Sequence, residues 1–131
     1  MNIEMTPFLR STLYADAVMG AVAAAVTIFG AGPLAPLLML PQPLLFWAGV
    51  ALVPIAVFLV VMARRPAVPR GWLREIVLVN AAWAVASIGL LAFGLVQPNA
   101  LGAAFVVLQA AAVGLFAALE ALPLRRGMVA A

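Results

Sequence analysis

Apolar residues run through this chain in two long stretches, each broken near its middle by uncharged punctuation. Thr6-Pro7 opens the first, with a hydroxyl at the N-cap and proline in the first turn. The run continues to about Gly30, where Gly32-Pro33 and Pro36 break it. Gln42-Pro43 starts a second run, which stops at Arg64-Arg65-Pro66. Pro69-Arg70-Gly71-Trp72 opens a third, ending near Gly94. Gln97-Pro98-Asn99 turns the chain with Asn99 as N-cap, and a fourth run reaches about Leu122, where Pro123 ends it. A helix crossing a bilayer needs about 20 mostly apolar residues. The pattern predicts four spanning helices over residues 7–30, 43–63, 71–94 and 100–122, in a single integral membrane domain over 1–131.

Charge then sets their direction. All seven basic residues are arginines: Arg10, then Arg64, Arg65, Arg70 and Arg74, then Arg125 and Arg126. Residues 31–43 and 95–101 carry no charge. Cytoplasmic loops retain Arg and Lys. The fold class expected is therefore an all-α membrane protein, an up-down-up-down bundle of four transmembrane helices with both termini cytoplasmic. The first run is too long for the apolar core of a signal peptide, and Glu4 and Asp16 are poor features for one, so it is read as a span. Residues 31–43 hold Pro33, Pro36, Pro41 and Pro43, which predict a stiff apolar connector at the outer interface. Trp47, Trp72 and Tyr14 fall near span ends, where amphipathic rings suit headgroup depth or ordinary packing.

Composition narrows the chemistry. The chain is 68% hydrophobic and 8% charged, whereas a soluble domain is about a quarter charged. With no Cys and no His, disulfides, thiolate metal sites, thiol catalysis and the commonest general base and haem ligand are excluded. No cofactor or metal is expected. The arginines flank apolar spans and form no dense patch on a soluble fold, so anionic lipid headgroups are the expected partners and nucleic acid is not. A homo-oligomer or a membrane-protein partner is also open.

Polar residues inside spans cost free energy and mark candidate sites. Asp16 stands nine residues beyond Pro7, so ~13 Å into its helix. Asp16, Asn80 and Glu120 are expected to form one polar cluster, with Arg74 or Arg125 neutralising a carboxylate. The plain reading is bracing of the bundle; the sharper one is a proton or substrate site. Gln109 and Ser87 are candidates for interhelical hydrogen bonds worth ~0.5–2 kcal/mol, although Ser87 and Thr27 can instead bond back to the carbonyl one turn earlier. Gln109 is expected nearer the outer leaflet, apart from Asp16. Pro54, mid-span, predicts a kink that frees the carbonyl of Val50. Trp83 either fills the bundle centre or lines a pocket. Gly20 with Ala24, and Ala110, Gly114 and Ala118, are small residues at four-residue spacing, which lets helices approach.

A faint repeat links the two stretches. Asp16 precedes Gly30 by fourteen residues and Asn80 precedes Gly94 by the same interval; both copies end Phe-Gly and return through Gln-Pro, with Pro54 and Gln109 at matched positions. Such copies would be parallel, related by an axis along the membrane normal.

Leu13-Tyr14-Ala15-Asp16-Ala17, Asn80-Ala81-Ala82-Trp83, Leu101-Gly102-Ala103-Ala104-Phe105-Val106, Gln109-Ala110 and Leu124-Arg125-Arg126 together resemble a group of short four-helix inner-membrane proteins of proteobacteria. The resemblance covers almost the whole chain and implies topology and a bacterial inner-membrane location, but no activity. Three function classes are compatible with a chain of this kind. The expected one is a non-enzymatic structural or accessory protein that self-associates or joins a larger membrane complex. The alternative is a small, proton-coupled transporter using Asp16. Small multidrug exporters are also four-helix proteins with an acidic first helix, but they use Glu and none of their other motifs occurs here. An enzyme is not expected, since no nucleophile–base pair, ligand cluster or phosphate loop is present.

Overall fold

The computed structural model describes residues 2–126 and 129–130. It contains five helices: α1 (Pro7–Phe29), α2 (Ala31–Leu38), α3 (Gln42–Ala63), α4 (Arg70–Ala92) and α5 (Ala100–Arg126). Four of these, all but α2, are long and apolar enough to cross a membrane. Their outward faces are apolar too: Val18, Phe29, Val85 and Leu108 are all more than half exposed. That arrangement suits hydrocarbon as the surrounding solvent.

α1 begins as its sequence requires. The Thr6 hydroxyl accepts from the Leu9 N–H at 3.2 Å, with Pro7 in the first turn. Asn99 likewise caps α5, its Oδ1 accepting from the Gly102 N–H at 2.8 Å. The same amide donates to the Leu37 carbonyl at 2.8 Å, so one side chain satisfies the end of α2 and the start of α5.

Three features depart from expectation. The proline-rich connector contains the helix α2. Pro33 occupies its third position, where the N–H has no intrahelical partner anyway, and only Pro36 forgoes a bond. α5 also continues through Pro123 to Arg126 and does not stop at Leu122. Proline there forfeits the bond to the Leu119 carbonyl, but its ring is fully buried against the bundle. Finally, three short strands form one sheet in the order β2-β1-β3: β1 (Asn2–Glu4), β2 (Ala67–Pro69) and β3 (Val129–Ala130). Both pairings are antiparallel, with Ile3 opposite Val68 on one side and Val129 on the other. Ile3 and Val68 are fully buried, and pack with Leu9, Leu13, Leu59, Met62 and Leu73 into one core at this end.

Helix packing divides the bundle into two pairs. α1 lies mainly against α3, and α4 mainly against α5; the pairs meet chiefly through α1 and α5, while α3 and α4 barely touch. The α1–α3 seam is close. Gly20 faces the Ala56 methyl, and a Cβ on Gly49 would collide with the Thr27 hydroxyl and stand 3.1 Å from the Ala24 carbonyl. Glycine at 49 is what lets the two backbones approach. Gly102 does the same where α5 crosses the end of α2, since a Cβ there would overlap the Leu38 carbonyl.

The arginine end is stitched by guanidinium groups. Arg10 Nε donates to the Ala63 carbonyl at 3.0 Å, and Arg70 Nη2 donates to the Leu124 carbonyl at 3.2 Å. Each reaches the last turn of its partner helix, where carbonyls lack intrahelical donors and the helix dipole favours a cation.

Candidate functional site

Helical periodicity alone aims four faces at one another. On α1 the inward set is Asp16, Met19, Gly20 and Ala23; on α3 it is Leu52, Ile55, Ala56 and Leu59. Both follow the i, i+3, i+4, i+7 spacing of a single helix face. On α4, Asn80, Trp83 and Ser87 share a stripe, and on α5, Gln109, Val113, Phe116 and Glu120 do.

Asp16, Asn80 and Glu120 meet at this junction. The Asn80 amide donates one hydrogen to Asp16 Oδ2 and the other to Glu120 Oε1, both at 2.8 Å. Both N–H bonds of the amide are thereby used. Asp16 and Asn80 are 6% exposed and Glu120 is 0% exposed. The second oxygen of Glu120, Oε2, is buried with no hydrogen-bond partner among the described residues. The two accepting oxygens lie no more than twice 2.8 Å apart, because they share one nitrogen. Two full negative charges at that separation repel by roughly 3 kcal/mol at an effective dielectric of ~20.

The structure brings these three expected residues together, without an arginine as fourth member. Arg74 is exposed, as is Arg125, and the polar partner of both carboxyls is Asn80. The arginines with described side-chain hydrogen bonds, Arg10, Arg65 and Arg70, donate to backbone carbonyls at the arginine end instead. Carbonyls at helix ends outcompete a carboxyl that lies more than a helical turn deeper.

Of the other expected residues, Gln109 makes an interhelical hydrogen bond and Ser87 does not. Gln109 lines the same cavity as Asp16 and Asn80, and its Oε1 accepts from Trp83 Nε1 at 3.0 Å. Eleven residues, three turns, separate Gln109 from Glu120, which puts both on one face of α5. Ser87 is not an interhelical donor. Its Oγ bonds back to the Trp83 carbonyl at 2.7 Å, as Thr27 does to Ala23 at 2.8 Å. Pro54 lies within the continuous helix α3 and is exposed.

Between the pairs, from the Asn80 triad to the Trp83–Gln109 bond, runs a cavity of ≈ 60 Å³ lined mostly by apolar side chains. A larger apolar groove of ≈ 270 Å³ opens between α3 and α4, lined by Pro54, Phe58, Ile76 and Val79, with Glu75 also on its wall and Asn80 at both cavities. Beside its arginine end, Trp72 stacks near Phe58 with ring centroids 6.1 Å apart and carries Arg65 at 5.4 Å over its face.

The positions matched in the sequence repeat fall differently: Asp16 and Asn80 are hydrogen-bonded to each other. Pro54 lines the outer groove, whereas Gln109 lines the central cavity. Among the described residues, no group of three or more acidic side chains is placed to hold a metal ion. No known protein family, curated protein or solved structure matches this chain.

Proposed function

We propose that this protein is a non-enzymatic structural or accessory component of a bacterial inner membrane, acting as a rigid four-span bundle that associates with itself or with a larger membrane complex. The observation that carries this reading is how its buried polar groups are used. Asp16, Asn80 and Glu120 are turned on one another, as are Trp83 and Gln109, and the Asp16–Asn80 bond joins α1 to α4, two helices that otherwise touch little. The central cavity of ≈ 60 Å³ is far below the ~300 Å³ or more of a small-molecule pocket. A group that bound an organic substrate here would have no room for it.

The orientation proposed is both termini cytoplasmic. The arginine distribution supports it, and so does the sheet that draws residues 2–4, 67–69 and 129–130 together. The same end offers Arg64, Arg65 and Arg74, all exposed, to anionic headgroups. Its uncharged, apolar lateral faces are the surfaces available to lipid or a partner helix.

One observation favours the second reading, proton-coupled transport: Asp16 lines the central cavity. Reconstitution in vesicles separates the two. The accessory reading expects Asp16→Asn to lower thermal stability or alter assembly, with no proton or drug flux in either variant. A flux in the wild type that Asp16→Asn abolishes transfers the assignment to the transporter.

A further inference from the structure

Glu120 Oε2 poses a question the bracing role leaves unanswered. Among the described residues it is a buried acceptor with no donor, on a residue of 0% exposure. A buried polar atom of this kind needs a partner, which in principle is a water, a metal cation or a proton. Water and cations need volume. Glu120 lines neither the central cavity nor the α3–α4 groove, so neither void delivers such a partner to it. A proton needs no void. Among the described residues, the polar groups that meet Glu120 supply no cation: α4 presents the neutral Asn80, already donating both hydrogens, and α1 presents Asp16 on that same amide.

We propose that Glu120 is a proton-binding site: its Oε2 carries a hydrogen, and the acceptor is the Asp16 carboxylate held on the same Asn80 amide. The cluster then has a donor for every acceptor that faces another, and one negative charge in place of two. Asp16, which borders the central cavity, is the side from which the proton exchanges. Loss of that proton would set two like charges against each other beside the Asp16–Asn80 contact between α1 and α4. The junction of the two helix pairs is therefore a two-state element biased by one proton. The proposal goes beyond bracing and stands whichever of the two functions is right.

The chain has only four acidic side chains, so infrared spectroscopy of the full-length protein in nanodiscs resolves the question. At neutral pH the wild type should show the carbonyl stretch of a neutral carboxylic acid, shifted in D₂O. Glu120→Gln should remove it, while Glu75→Gln should leave it intact. Absence of that band in the wild type, or its survival in Glu120→Gln, overturns the assignment. Thermal stability gives an independent reading. The Gln amide replaces an O–H donor by an N–H donor, so Glu120→Gln should melt close to the wild type and Glu120→Ala well below it. Equal loss in both variants contradicts a protonated Glu120.

Discussion

The two helix pairs are built on different physics. The α1–α3 seam is small and apolar: Gly20 against Ala56, Gly49 against Ala24 and Thr27, with Leu9, Leu13, Leu59 and Met62 below. Apart from Arg10, whose Nε donates to the Ala63 carbonyl, its polar residues Thr12 and Thr27 return their hydroxyls to their own helix. The α4–α5 seam also has a small contact, Gly114 against Ala84, but besides the Arg70 bond at its end it carries two side-chain to side-chain hydrogen bonds, Asn80 to Glu120 and Trp83 to Gln109. In lipid there is no hydrophobic gain in joining two apolar helices, so close van der Waals approach and interhelical hydrogen bonds are the two available sources of affinity. Each pair leans on a different one, and Asn80 reaches from the second pair to Asp16 of the first.

Breaking the close seam should have the largest effect. Gly49→Val places a branched side chain where even a Cβ meets Thr27, so we expect a loss of about 3 kcal/mol or failure to fold, read by denaturant unfolding in detergent. Asn80→Leu comes next. It strands two buried carboxyls without their shared donor, for an expected loss of about 2–3 kcal/mol in the same assay. Gln109→Leu should be mildest, about 0.5–1.5 kcal/mol, since it deprives only the half-buried Trp83 N–H; tryptophan emission should report the altered indole environment. Should Gln109→Leu prove as damaging as Gly49→Val, the contrast between the seams fails.

The spans were legible because a bilayer demands long apolar runs and prolines and arginines punctuate them here. α2 was not, since prolines read as breakers, yet Pro33 sits where a helix needs no N–H. The sheet was not, because strands of two or three residues are too short to show alternation, and Ile3 finds Val68 and Val129 only through the fold. The triad was legible from cost alone: Asp16, Asn80 and Glu120 are expensive in a membrane and so belong together. Its chemistry was misjudged at Arg74, because sequence gives depth crudely and cannot show that arginines at this end donate to helix-end carbonyls. Gln109 was legible as an interhelical hydrogen-bonding residue, and it accepts from the Trp83 indole across the α4–α5 seam.

A double-mutant cycle on Asp16→Ala and Asn80→Ala, in the full-length protein unfolded from detergent, tests directly whether one buried contact joins the two pairs. A coupling energy of about 0.6–2 kcal/mol is expected for a hydrogen bond inside a bundle. Strictly additive losses would mean that Asp16 and Asn80 do not interact, and the account of how the halves are joined would be wrong.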